Sequence, residues 1–187
     1  MPAPNLSPAI SVDEYLAGEE TAELRHEYIN GQVYAMTGAS DRHGIIVSNL
    51  VATLRPLVRG HGCQLFASDM KLRLQIAGQD IFYYPDLLLS CAPDDRETYY
   101  RTKPCVIVEV LSPSTERLDR REKFLSYITL PSLQDYLLVS QTERAIWHHR
   151  RSCDWHAERV TEGSLTLDCL GIGLPLSLIY EELDALD

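Results

Sequence analysis

The chain has no run of about 18 consecutive apolar residues, the minimum for a bilayer-spanning helix. Its opening stretch, Met1 to Ile10, lacks a positive n-region and a long apolar core, so no secretory leader is expected. The sequence reads as a soluble, cytoplasmic protein. Basic residues are scarce: 17 Lys and Arg stand against 27 Asp and Glu, a formal net charge of -10. That balance argues against a broad footprint for nucleic acid, which rests on many cationic contacts to phosphates. A local basic groove remains open, because positive residues cluster at Arg117, Arg120, Arg121 and Lys123 and again at Arg144, Arg150 and Arg151. Solvated faces explain those clusters equally well.

No CxxC pair occurs among Cys63, Cys91, Cys105, Cys153 and Cys169. Odd in number and widely spaced, they support neither a disulfide framework nor a thiolate zinc site, and reduced thiols are expected. Cys91 and Cys105 fall in apolar, strand-like runs, where a thiol acts as a small hydrophobe. Gly/Ser linkers, low-complexity tracts and internal repeats are also missing. With 45% hydrophobic residues in 187, one domain spanning 1–187 around a single core is expected.

Clear local signals are present. Ser11 and Glu14 form a capping box that opens a short helix through Leu16, with Gly18 as its stop. Asn30-Gly31 between two β-prone runs marks a hairpin whose first strand begins just after Glu27. Ile46, Leu50, Leu54, Leu57 and Val58 recur at helical spacing over 41–58. Strands are expected at Cys63 to Phe66, Met70 to Ile76, Asp86 to Cys91 and Cys105 to Leu111. In the last of these only Glu109 is polar, the mark of a central strand covered on both faces. Ser114 or Thr115 then caps a helix to about Ile128 with a buried stripe of Leu118, Leu125 and Ile128, and Asp135 to Ser140 returns as a strand. An antiparallel extension should follow over 145–149, 155–160 and 164–169, ending in a short helix within 176–183.

Asp86 and Glu109 are carboxylates in apolar runs. A buried charge costs several kcal/mol unless compensated, so a shared cation would account for both if their strands are neighbours about 4.8 Å apart. Magnesium suits such a site, being held by one or two carboxylates with waters and a substrate phosphate. Each residue also has a plainer explanation. Asp86 can cap a turn after Pro85, Glu109 can pair with an arginine, and Asp119 and Lys123, four apart, can form an exposed ion pair worth about 0.3–0.5 kcal/mol. Glu27 can extend the acidic cluster or sit at the surface. His43 can begin the long helix in the interior or donate to a ligand from behind. His148 and His149 face opposite ways on a strand and cannot easily share an ion.

The ordered string Arg25-His-Glu27-Tyr-Ile-Asn-Gly31, Met36-Thr-Gly-Ala-Ser40 with His43, Tyr84-Pro-Asp86, Pro104 to Thr115, Asp119 with Lys123, and Tyr127 resembles the Uma-two family of restriction-endonuclease-like proteins. The match covers roughly residues 11 to 140. It implies an α/β (α+β) PD-(D/E)XK nuclease fold, a mixed central sheet flanked by helices. By position, Asp86 and Glu109 would bind Mg2+ or Mn2+ and Glu27 would assist from the N-terminal helix. The general pattern places lysine two residues after the second acid, where this chain has Leu111; Lys123 on the next helix matches the shifted position, with Asp119 one turn earlier. The implied activity is hydrolysis of phosphodiester bonds, with DNA as substrate, and a homodimer suits cutting of both strands. The rival is a catalytically inactive interaction or scaffold protein that kept the nuclease fold.

Overall fold

The computed structural model describes residues 9–113 and 115–183. Ser114 and the first eight residues, which carry part of the expectations above, lie outside that range. Helix α1 (Val12–Glu19) opens on the capping box: Glu14 N donates to Ser11 Oγ at 3.2 Å and Ser11 N donates to Glu14 Oε2 at 2.8 Å. It runs past Gly18, which adds no steric or conformational stop of its own. The hairpin β1 (His26–Ile29) to β2 (Gln32–Ala35) turns at Asn30 and Gly31, with φ of 47° and 87°. Those paired left-handed residues supply the twist that a two-residue hairpin needs.

Two sheets follow. In the first, β4 (Lys71–Ile76), β5 (Gln79–Tyr83) and β7 (Tyr100–Arg101) join the hairpin in the order β2-β1-β5-β4-β7. The second holds β3 (Gln64–Ala67), β6 (Leu87–Ser90), β8 (Val106–Leu111), β9 (Asp135–Ser140), β10 (Ile146–Arg150) and β11 (Ala157–Val160), in the order β11-β10-β9-β8-β6-β3. It is mixed: β8 and β9 are parallel, joined through the helical segment 116–127, and the other neighbours are antiparallel. A separate hairpin, β12 (Ser164–Leu167) with β13 (Ile172–Pro175), leads to the short helix Leu176–Ile179.

The second sheet is the centre of the molecule, which is why β8 is apolar along its length. On one face Leu87, Leu89, Val106, Val108 and Leu137 pack against α2 (Asp41–Val58) through Ile46, Leu50 and Leu54. On the other, Leu88, Ile107, Tyr136 and Leu138 meet Leu72, Leu74 and Tyr83 of the first sheet, with Tyr127 between. Helices therefore flank the sheet on both sides, the second flank being shared with the five-stranded sheet. Among the described residues no helix is long and apolar enough to cross a membrane.

Several sequence expectations need correction. Glu27 lies within β1, not in the N-terminal helix, because the chain leaves α1 at Glu19 and resumes extended pairing at His26. Strand β5 had no clear signal: it turns from β4 through Ala77 and Gly78, both at positive φ, and alanine is a poor marker of such a turn. Leu57 and Leu125 are exposed, not buried. Between Leu118 and Phe124 the helical segment widens into a π turn (Asp119–Lys123), so the inward stripe is Asp119, Lys123 and Tyr127. The reduced-thiol reading fails for four cysteines: Cys63 is joined to Cys91, and Cys105 to Cys169. Strand pairing brings them together from segments whose separation in sequence hides it. Cys153 alone is free, and exposed.

Candidate active site

Asp86 immediately precedes β6, and Glu109 lies in the antiparallel neighbour β8, whose Val108 is opposite Leu87. This register sets the two acids side by side. Asp86 N approaches Glu109 Oε2 at 3.4 Å, and Val110 N donates to Asp86 Oδ2 at 2.7 Å. From the other side His43 Nε2 reaches the same Oδ2 at 3.1 Å. His43 is aimed by the first turn of α2. There Ser40 Oγ accepts from His43 N at 3.2 Å and donates to Gln141 Oε1 at 2.6 Å, while Gln141 Nε2 donates to Leu111 O at 2.7 Å.

Lys123 is the hub. Its Nζ lies 3.0 Å from Glu27 Oε1, 3.3 Å from Glu109 Oε1 and 3.4 Å from Asp119 Oδ1, and all four side chains are nearly inaccessible. Tyr127, one turn on and fully buried, donates its OH to Glu109 Oε1 at 2.8 Å. Tyr136 donates to Asp119 O at 3.0 Å and pins the π turn. A π turn at this point fits the common use of such turns to re-aim functional side chains.

Burial decides the electrostatics. It pushes the Glu109 carboxyl well above its ordinary 4.5; Lys123 opposes this, while Asp119 and Asp86 add to it. Burial likewise raises Asp119 from 3.8, against the pull of Lys123. Desolvation alone would lower Lys123, but Glu109, Glu27 and Asp119 outweigh it and hold the ammonium well above 10.5. When ionised, Glu27, Asp86, Glu109 and Asp119 set four negative charges around one positive charge. Glu27 Oε1 and Asp119 Oδ1 have the ammonium nearby but no well-formed hydrogen bond among the described residues. Oxygen donors with spare capacity in a net negative site suit a hard divalent cation.

His43, Asp86, Glu109, Asp119 and Lys123 line a cleft of about 380 Å³ together with residues 36–40, Ser112, Thr115 and Arg25, while Glu27 touches the site through Lys123. All six residues singled out in the sequence, Glu27, His43, Asp86, Glu109, Asp119 and Lys123, therefore meet in one place. Asp119 and Lys123 are not an exposed pair, and Glu109 is partnered by lysine and tyrosine, not by arginine. Sequence reasoning gave no role to Tyr127, although its place in the motif string was visible, and missed Gln141, which carries no local signal. The basic clusters are largely committed elsewhere. Arg120 stacks over Trp147 at 4.0 Å and pairs with Glu116, Arg150 pairs with Glu158, and Arg151 donates to Leu133 O. Arg117 and Arg121 stay exposed on the site helix. His148 is buried against Asp135 at 2.8 Å, while His149 contacts Trp155 O on the opposite side.

A mixed sheet with two acids at adjacent strand ends and a lysine on the crossover helix defines a restriction-endonuclease-like protein. Residues 12–178 match the model of the Uma2 family, described as "putative restriction endonuclease", and the chain belongs to that family. It is 40% identical over 186 residues to the uncharacterized protein slr1290 of Synechocystis sp., covering 97% of this chain and 95% of that protein. To sll1609 of the same organism, also uncharacterized, it is 34% identical over 148 residues, 78% of this chain and 82% of that one. Its fold is similar to a crystal structure from Anabaena variabilis titled a "putative nuclease belonging to DUF820". The TM-score is 0.73 at 18% identity, covering 93% of this chain and 99% of that one.

Proposed function

We propose that the protein is a divalent-metal-dependent endonuclease that hydrolyses phosphodiester bonds of DNA. The observation that carries this reading is the buried ammonium of Lys123 within 3.0–3.4 Å of three carboxylates, beside Asp86, at the floor of an open cleft. Asp86 and Glu109 would hold Mg2+ or Mn2+, which would supply Lewis acidity toward a phosphoryl oxygen and ease deprotonation of the attacking water. His43 and Val110 N fix the Asp86 carboxylate, and Tyr127 fixes that of Glu109. Lys123 orients the attacking water and steadies the negative charge that builds on phosphorus as the P–O bond to the leaving sugar breaks. Glu27 and Asp119 keep that ammonium in place. Arg117 and Arg121, exposed on the site helix, offer phosphate contacts, and Arg25 at the cleft would have to leave Asp69 to add a third. A homodimer working in the cytoplasm would place two such sites for cutting both strands.

A second reading, a nuclease fold retained as an inactive scaffold, is favoured by the net charge of -10. Calorimetric titration with Mn2+ separates the two. Binding by the wild type that is lost in Asp86→Ala and Glu109→Ala supports the enzyme, and a wild type that binds no metal supports the scaffold.

A further inference from the structure

The four bonded cysteines lie outside the candidate site, at the far end of the same central strands. Cys63 precedes β3, Cys91 follows β6, Cys105 precedes β8, and Cys169 sits in the turn between β12 and β13. The Sγ atoms of Cys91, Cys105 and Cys169 lie within 4.8 Å of one another. Cys91 Sγ is 3.5 Å from that of Cys105 and 3.8 Å from that of Cys169, although it is bonded to neither. Four sulfurs around one tetrahedral zinc, with Zn–S near 2.3 Å, stand about 3.8 Å apart. The spacing of Cys91 from Cys105 and from Cys169 is thus already that of neighbouring sulfurs in a thiolate shell, and Cys63, outside that group of three, is tied to it through its bond to Cys91.

Two of the positions that carry the sulfurs, Cys105 and Cys169, are held by more than the sulfur bonds. Cys105 N donates to Leu89 O at 2.7 Å, and Cys105 O accepts from Gln134 N at 2.8 Å. Fully buried Asp135 accepts from Cys169 N at 3.0 Å, Asp168 N at 3.1 Å and His148 Nε2 at 2.8 Å, which fixes the turn that bears Cys169. Backbone and carboxylate hydrogen bonds therefore hold two of the four positions, Cys105 and Cys169, and the core packs against the cluster.

We propose that Cys63, Cys91, Cys105 and Cys169 form a thiolate site for Zn2+ in the reduced protein, with the two disulfides as its oxidised, metal-free form. Thiolates select a soft ion over Mg2+, so this centre and the carboxylate site would not compete for the same metal. Interconversion balances with a peroxide as oxidant. Four Zn–S bonds break and two S–S bonds form, and four electrons pass to two molecules of hydrogen peroxide, which take up four protons to give four waters. The proposal does not depend on the nuclease reading.

The test uses the full chain purified anaerobically with a phosphine reductant. Wild type is expected to carry about one tightly held zinc ion per chain. Replacement by Co2+ should give the sulfur-to-cobalt charge-transfer band and the strong visible bands of a tetrahedral thiolate site. Both signals should vanish in Cys91→Ser and Cys169→Ser and persist in Cys153→Ser and Asp86→Asn. Hydrogen peroxide should release the zinc as four thiols disappear. Reduced, folded wild type with all five thiols reactive and no thiolate-to-cobalt band would overturn the proposal, as would disulfides that resist reduction in the folded chain. Because the cobalt spectrum of the wild type decides the matter, a cysteine variant that fails to fold does not leave it open.

Discussion

Lys123 is buried at 4% exposure and shared by three carboxylates, so its removal should reach stability as well as chemistry. Breaking a buried ionic cluster by removing one partner costs about 3–5 kcal/mol. Lys123→Ala should show a loss of that order in urea unfolding, together with loss of cleavage. His43 acts at one remove, through Asp86 Oδ2. Partners that orient a metal ligand typically govern affinity by about 10- to 100-fold, and His43→Ala should weaken Mn2+ binding by that factor in calorimetry while the fold persists. Glu109 sets a pH signature. Its folded-state pKa is raised above 4.5, so its contribution to stability is full below 4.5 and is lost as pH climbs through the folded value. Lowering the pH from neutral toward 4.5 should therefore favour the metal-free wild type over Glu109→Gln, read as the difference between their Tm values. A difference that does not change across that window would contradict the account of Glu109.

Elements differ in how openly the sequence states them. The capping box of α1 and the Asn30-Gly31 turn were legible because their chemistry is local: one side chain to one backbone group, and one pair of left-handed residues. The turn carries its own prediction. Gly31 has φ of +87°, and an added Cβ would meet Ala9 Cβ at 2.7 Å, so Gly31→Ala should cost more than about 1 kcal/mol in chemical unfolding. The site helix was legible in extent but not in facing. Apolar periodicity pointed to Leu125 as buried, yet it is 62% exposed, because the inward stripe is the polar series Asp119, Lys123, Tyr127. Polar residues turn inward there because they satisfy one another, and no propensity scale registers a mutual ion pair. The cysteine pairs were hidden for a related reason: only the register of β3, β6 and β8 makes Cys63, Cys91 and Cys105 neighbours.

At the scale of the whole molecule, the ordered motif string identified the fold and all six candidate residues, whereas composition pulled the other way. The net charge of -10 limits nonspecific electrostatic binding, and Arg120, Arg150 and Arg151 of the two basic clusters are occupied by Trp147, Glu116, Glu158 or backbone carbonyls. With Arg25 paired to Asp69, and Arg117 and Arg121 as the available phosphate contacts, DNA affinity should fall with salt along a log-log slope of about -2, shallower than for a basic DNA-binding protein. Fluorescence anisotropy at several salt concentrations measures that slope.

The most direct measurement is cleavage of supercoiled plasmid by purified wild type and the near-isosteric Asp86→Asn variant, each with Mg2+ or Mn2+ and with a chelator. The account predicts nicked and linear products from the wild type only, appearing with metal and abolished by the chelator. Equal cleavage by both proteins, or an intact plasmid with the folded, metal-supplied wild type, would contradict it.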